Sequence, residues 1–259
     1  MEYRQLGNTG LEVSVIGMGC EGFAEDHYHM TEKMFNIAES LGINYFDLYA
    51  ADPELRKAVG RALEGRRDKF IIQAHLCSVW EKGQYVRTRN LKKVKEHFGQ
   101  LMELLGTEYL DVGMIHYCDS ETDWDDIVDN GILDYAKELK TAGIIGHIGL
   151  SSHNPLVAER AILEGDIEVL MFAVNPCYDL QPASEDVEDL WADKTYVETY
   201  VNMDPDRQWK YRPNSTTVPE GRHAVPRQRH EAEHLTIFTM FYACRVHCIQ
   251  YGMLCWSSC

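Results

Sequence analysis

Strand-like apolar runs alternate with amphipathic segments of helical period along most of this sequence. The runs at 44–49, 110–117 and 144–152 carry few charges, as is typical of parallel strands that helices cover on both faces. Segments such as 31–42 and 90–106 begin at Thr or Asn and end at Gly, which are common residues at helix starts and stops. This alternation predicts an α/β fold with a parallel sheet, either open and doubly wound or closed into a barrel.

The number of strands leaves both architectures open. Six strand-like runs are present before the pattern stops, at 13–20, 44–49, 69–76, 110–117, 144–152 and 167–175. An open sheet can be complete with six strands, whereas a (β/α)8 barrel needs eight. The stretch "GMGCEGF" has glycines at the spacing of the dinucleotide-binding motif, but a polar stretch follows it where that motif leads directly into a helix. This context disfavours the open sheet, and a β-hairpin with the turn "GNTG" is predicted before the first strand.

The composition excludes several classes of partner. The 259 residues are 45% hydrophobic, which is enough to bury a sizeable core. The formal net charge of −16 argues against nucleic acid and anionic membrane surfaces as partners, because both need a basic face. The sequence also contains neither a membrane-length apolar run nor a signal peptide. We therefore expect a cytoplasmic protein with reduced thiols, in which the acidic stretch 121–126 is a solvated loop with helix-start signals; no feature indicates its oligomeric state.

Polar residues recur where the predicted strands end. Asp47 and Tyr49 end the second strand, His75 the third and His116 the fourth, and the pair Ser151–Ser152 ends the fifth. In a barrel the carboxyl ends of all strands converge on one mouth, so these groups would face one pocket. The sequence therefore predicts a small-molecule site at this end of the strands.

Four ordered motifs resemble the aldo-keto reductases. They are "YRQLGNTGLEVSVIGMGC", "NYFDLY", "LDVGMIHY" and "GIIGHIGLSSHNP", and the resemblance covers residues 3 to about 207. It implies a (β/α)8 TIM barrel with an N-terminal β-hairpin, here truncated after the sixth strand. It also implies reduction of a small aldehyde or ketone by hydride transfer from NADPH.

The resemblance carries over only part of the catalytic set. The family uses a Tyr as proton donor, supported by a Lys, an Asp and a His; Asp47 and His116 match the last two. The family Tyr lies five residues after the Asp, where this chain has Asp52, so Tyr49 is the phenol near that position. His75 stands where the family Lys ends the third strand. The expected catalytic residues are therefore Asp47, His116, Tyr49 and His75.

Cofactor-binding positions carry over in a similar way. Gly19 fits the turn after the first strand, and Cys20 stands where the family has Thr. Ser151 matches the serine that holds the nicotinamide carboxamide, with Ser152 where Asn is common. The resemblance thus implies NADPH contacts at these four residues.

The composition changes near Gln208. Residues 208–259 hold 3 of the 41 acidic residues but four of the eight cysteines, without clear alternation of strands and helices. We divide the chain into a partial reductase barrel at 1–207 and a non-matching tail at 208–259, expected to be out of frame, disordered or helical. The tail cysteines match neither zinc nor iron–sulfur spacings, so we expect no metal site and no iron–sulfur cluster in this chain.

Three functions stay open on the sequence. The first is an NADPH-dependent carbonyl reductase with a small-molecule substrate. The second is a non-catalytic module that binds a nucleotide or small ligand, because the family Tyr and Lys are replaced. The third is an inactive, truncated reductase.

Overall fold

The apolar runs of the sequence form the strands of a seven-stranded parallel sheet. The structure, a computed structural model, describes residues 1–21, 27–172 and 236–238, with backbone alone for His27 and for 236–238. In chain order the strands are β1 (Tyr3–Gln5), β2 (Glu12–Ser14), β3 (Met18–Gly19), β4 (Tyr45–Leu48), β5 (Ile71–Leu76), β6 (Ser78–Glu81), β7 (Gln84–Arg87), β8 (Leu110–Ile115), β9 (Ile145–Ser152), β10 (Val169–Phe172) and β11 (Thr236–Phe238). The helices are α1 (His27–Leu41), α2 (Pro53–Leu63), α3 (Leu91–Leu105), α4 (Glu121–Asp129), α5 (Ile132–Thr141) and α6 (Pro155–Glu164).

The strand order distinguishes the two architectures that the sequence left open. The large sheet runs β3, β4, β5, β8, β9, β10, β11, and every neighbouring pair is parallel. Each strand therefore lies beside the next large-sheet strand along the chain, with no point where the order reverses. A doubly wound sheet requires such a reversal, so the sheet has the topology of a (β/α)8 barrel.

Two hairpins, β1–β2 and β6–β7, lie outside the large sheet. β1 and β2 pair antiparallel, as the "GNTG" turn predicts, with Tyr3 opposite Ser14. Leu6 and Val13 of this unit are buried with Tyr45 and Val169, the first residues of β4 and β10. The hairpin thus covers the end of the sheet where the strands begin.

The helix boundaries follow local capping. The side chain of Asp52 caps α2 by accepting from the Glu54 N–H at 2.9 Å, and Asn90 caps α3 by accepting from the Lys93 N–H at 3.1 Å. α3 ends at Gly106, whose φ of 62° suits a residue without a Cβ. The helices then bury their apolar faces against the sheet, where Phe35 stacks on Phe46 with 4.1 Å between ring centroids.

Two segments differ from the sequence expectation. The acidic stretch 121–126 has the helix start that its signals indicate, but it forms the first part of helix α4 rather than a solvated loop, because Trp124 and Ile127 share one buried face. β11 lies within the tail and adds a three-residue seventh strand at the edge of β10; its sequence, Thr-Ile-Phe, has high strand propensity. The remaining expectations for 173–235 and 239–259, including a reduced thiol at Cys177 and the tail cysteines, lie outside the described residues.

Candidate active site

Asp47 occupies the carboxyl end of β4 and is buried. Its backbone pairs with Gly19 of β3, and its carbonyl accepts the Cys20 N–H at 2.9 Å. One carboxylate oxygen, Oδ1, accepts from Gln73 Nε2 at 2.6 Å and contacts His75 Nε2 at 2.8 Å. These donors satisfy an acid whose burial would otherwise be costly.

His75 and His116 face each other from adjacent strands. Their Nδ1 atoms lie 2.8 Å apart, and the His116 N–H donates to the Leu76 carbonyl at 3.0 Å, which holds His116 just beyond the end of β8. Burial, reinforced by nearby His75 and Arg89, holds the pKa of His116 well below its usual value. His116 is therefore neutral near pH 7, with one nitrogen as donor and the other as acceptor.

The loop after His116 is fixed by a two-pronged ion pair. Arg89 contacts both carboxylate oxygens of Asp123 at 2.7 Å and donates to the His116 and Tyr117 carbonyls at 2.9 and 2.6 Å. Paired guanidinium–carboxylate contacts of this kind are strong and directional. They hold the backbone, and with it the imidazole of His116, in one position.

Tyr85 completes the group and was not predicted from the sequence. Its hydroxyl lies 2.6 Å from His116 Nε2, and the residue is 38% exposed. It sits on the antiparallel hairpin β6–β7, whose turn residues Lys82 and Gly83 have φ values of 53° and 79°. A two-residue turn with both φ values positive is typical of tight hairpins. The sequence signal was the "KG" pair between two short strand-like runs.

Tyr49 lies against the same histidines. Its ring stacks on the His116 ring with 5.5 Å between centroids and 19° between planes, and it meets the rings of His75 and Tyr85 edge to face. Its carbonyl accepts the Ser78 hydroxyl, which ties β4 to the hairpin. Tyr49 therefore forms a wall of the site through its ring.

Asp52, at the position of the family Tyr, has a structural role. It is the N-cap of α2, so its carboxylate is directed at the first turn of that helix. The structure brings the four expected catalytic residues together: Asp47, His75 and His116 by hydrogen bonds, and Tyr49 by ring contacts.

The two serines at the end of β9 differ in their hydrogen bonding. The Ser152 hydroxyl donates to the Cys118 carbonyl at 2.7 Å and accepts the Asn154 N–H at 3.1 Å. Ser151 Oγ is also buried, yet no hydrogen-bond partner lies within reach among the described residues. A buried hydroxyl without a partner costs about 1–3 kcal/mol, and Ser151 therefore fits a group that binds a ligand amide.

Gly19, the last residue of β3, pairs with Asp47 of β4. Cys20 follows directly after β3 and donates its N–H to the Asp47 carbonyl. Burial and the charge of Asp47 raise the pKa of the Cys20 thiol well above its usual value, so this cysteine is a neutral, poor nucleophile. Cys20, Cys77 and Cys118 are free thiols, as expected. Within the ranges described, three or more His, Cys, Asp or Glu side chains nowhere converge as a metal site would require, and no helix has the length and apolar character to span a membrane.

Comparisons with known proteins give a consistent picture. The family model for the Aldo/keto reductase family matches residues 16–190. The chain is 26% identical over 187 residues to "Uncharacterized oxidoreductase YqkF" of Bacillus subtilis, covering 70% of this chain and 58% of that protein. It is 29% identical over 163 residues to L-galactose dehydrogenase of Arabidopsis thaliana, covering 58% and 48% of the two chains. The chain thus spans about half the length of the curated relatives that it matches.

Solved structures are similar as well. The crystal structure of PA4992 from Pseudomonas aeruginosa superposes with a TM-score of 0.59 at 26% identity, covering 73% of this chain and 74% of that one. The holo form of aldo-keto reductase AKR11C1 from Bacillus halodurans gives a TM-score of 0.61 at 21% identity, over 93% and 86% of the two chains. The second likeness supports the barrel-type fold alone.

Proposed function

Because the chain belongs to the aldo/keto reductase family, we propose that it is an NADPH-dependent oxidoreductase that reduces a small aldehyde or ketone. The observation that carries this proposal is the buried group Asp47, His75 and His116, joined by hydrogen bonds at the carboxyl ends of three neighbouring strands. Buried titratable groups stabilise a fold poorly, and their concentration at one strand end is typical of a catalytic site.

The bound cofactor would supply a hydride to the carbonyl carbon. Ser151 would hold the nicotinamide carboxamide through its buried hydroxyl, and Gly19, Cys20 and Ser152 would line the same end of the pocket. A phenol hydroxyl beside His116 would donate a hydrogen bond to the carbonyl oxygen, where charge develops as the hydride arrives. Asp47 and His75 would hold His116 in the required tautomer.

Location in the cytoplasm is part of the proposal. It is supported by the buried free thiols, because reduced cysteines are usual in that compartment. The net charge of −16 favours a small molecule over nucleic acid as the partner.

A non-catalytic binding module is the second candidate. It is favoured by Asp52, which caps α2 where the family has its Tyr, and by His75 in place of the family Lys. Such a protein would bind NADPH through Ser151 and turn nothing over. An inactive chain would instead lack a cooperative unfolding transition.

Turnover and binding assays separate these candidates. The full chain is titrated with NADPH and with NADH, and cofactor oxidation is then followed with a panel of aldehydes and ketones. We expect carbonyl-dependent oxidation that Asp47→Asn reduces by at least ~100-fold, with NADPH affinity retained. Tight binding without turnover supports the module, and neither binding nor cooperative unfolding supports the inactive chain.

A further inference from the structure

We propose that Tyr85 gives the proton to the carbonyl oxygen, and that His116 and His75 form a relay that restores this proton. The proposal rests on the proposed reductase function and assigns its acid to a hairpin residue rather than to Tyr49. It stands on one unbroken line of contacts: Tyr85 hydroxyl to His116 Nε2 at 2.6 Å, His116 Nδ1 to His75 Nδ1 at 2.8 Å, and His75 Nε2 to Asp47 Oδ1 at 2.8 Å.

The direction of these hydrogen bonds is fixed when both imidazoles are neutral. Asp47 as a carboxylate only accepts, so His75 carries its proton on Nε2 and accepts at Nδ1. His116 must then donate from Nδ1, which leaves its Nε2 as the acceptor for the Tyr85 hydroxyl. In this state the proton of Tyr85 is directed to His116 and is held away from a substrate.

One additional proton on the histidine pair reverses the direction of the hydrogen bonds from His75 to Tyr85. When His75 is charged it donates from Nε2 to Asp47 and from Nδ1 to His116. His116 stays neutral but carries its proton on Nε2, where it donates to the Tyr85 oxygen. The Tyr85 O–H is then directed to a carbonyl, with a hydrogen bond from His116 ready to stabilise the phenolate.

The proton transfer balances over these atoms. When bound, NADPH would supply the hydride for the new C–H bond and be oxidised to NADP⁺; the carbonyl π pair would move to oxygen, and that oxygen would take the proton of Tyr85. The phenolate takes the Nε2 proton of His116, whose Nδ1 takes the proton of His75. The products are an alcohol, NADP⁺ and a neutral histidine pair, and solvent returns one proton through Tyr85, which is 38% exposed.

The charged groups around the pair are arranged asymmetrically. A positive charge on His116 is opposed by burial, then by His75 and Arg89, and more weakly by Arg87 and His153. His75 Nε2 instead contacts the Asp47 carboxylate at 2.8 Å, with both side chains buried. Three phenols also face the pair among the described residues, namely Tyr49, Tyr85 and Tyr117. His75 thus supplies conditionally the positive charge that a lysine would supply permanently.

Tyr85 is better placed than Tyr49 for this role. Tyr85 brings its oxygen to the imidazole nitrogen, whereas Tyr49 meets His116 with the face of its ring. The hairpin that carries Tyr85 has an anchored base, where the Thr88 N–H donates to the Cys77 carbonyl at 3.0 Å and Arg56 donates to the Ser78 carbonyl at 3.1 Å.

Kinetics of three tyrosine variants test the acid. Tyr85→Phe is expected to lower kcat for carbonyl reduction by at least ~100-fold, with the Kd for NADPH within about twofold of the wild type. Tyr135→Phe, on helix α5 where the ring packs against Phe98, is the matched control and keeps the wild-type kcat. A larger loss in Tyr49→Phe than in Tyr85→Phe overturns the assignment.

The pH dependence has a definite sign. Reduction requires the proton held by the pair, so its kcat falls as the pH rises through the titration of the pair. Oxidation of the product alcohol requires the neutral pair, so its kcat rises over the same range. Parallel profiles for the two directions contradict the relay.

A measurement without turnover separates this proposal from the proposed function. In the full chain labelled with ¹⁵N-histidine, His116 is expected to stay neutral and to move its proton from Nδ1 to Nε2 as the pH falls and His75 becomes charged. Tyr85→Phe shifts the pH of this exchange, and Tyr135→Phe does not. If no carbonyl is reduced, the proposed function fails while the NMR titration still decides the relay; a His116 that keeps one tautomer, or becomes charged, refutes it.

Discussion

The adjacent serines at the end of β9 should respond oppositely to the same substitution. In Ser152→Ala the Cys118 carbonyl loses a donor and the Asn154 N–H loses an acceptor, at 2.7 and 3.1 Å respectively. Leaving buried groups of this kind without partners costs about 1–3 kcal/mol. Ser151→Ala removes a buried hydroxyl that has no such partner, so the free energy of unfolding should stay the same or rise by up to ~1 kcal/mol.

Ligand binding should show the reverse order. If Ser151 hydrogen-bonds the carboxamide, its loss removes about 1 kcal/mol of binding free energy, which weakens NADPH binding about fivefold. Urea unfolding, followed by circular dichroism, and NADPH titration of both variants measure the two effects. The reasoning is refuted if Ser151→Ala destabilises the protein as much as Ser152→Ala, since the hydroxyl would then have a partner within the folded chain.

Three further changes follow from contacts in the described part of the chain. Asp52→Ala should lower the free energy of unfolding by about 1 kcal/mol through loss of the α2 cap and leave kcat unchanged; a large loss of kcat would show that Asp52 acts in catalysis. Trp124→Ala should cost about 3–5 kcal/mol in urea unfolding, because Trp124 is fully buried and donates to Glu164 at 2.9 Å; a cost near that of a surface residue would contradict this packing. Burial opposes ionisation of Asp119, but the hydrogen bonds from His153 outweigh it and lower the Asp119 pKa. The resulting stability is present above the ordinary pKa near 4 and lost as the pH falls through the folded value, a loss that Asp119→Asn should abolish in acid unfolding curves.

The sheet was predictable because its strands carry strong local signals. Nearly uncharged apolar runs, Asn caps and stop glycines gave most elements to within a few residues, including α3 between Asn90 and Gly106. The barrel-type order was not decided by these patterns, since local periodicity carries no information on which strands are neighbours. Asp47, His75 and His116 were found together because parallel strands bring their carboxyl ends to one edge.

Helix α4 and Tyr85 show where local reasoning fails. The stretch "ETDWDD" has four acids in six residues, and this charge favoured the interpretation as a solvated loop. The burial of its single apolar residue, Trp124, places it in a helix instead. Tyr85 lies outside every strand of the large sheet, so its approach to His116 depends on how the β6–β7 hairpin folds back. Only its "KG" turn gave a local indication of that geometry.

The proposed proton donor lies on the β6–β7 hairpin, which is not part of the large sheet of the barrel. After β4, the chain places the α2 cap Asp52 at the position of the family Tyr. The phenol beside His116 is instead Tyr85, from the segment between β5 and α3. A search for a tyrosine five residues after Asp47 would find Asp52 and class such a barrel as inactive. Residues 78–87 form a compact two-stranded hairpin, and related barrels without a tyrosine at the position of Asp52 could gain a phenol by exchanging this hairpin alone.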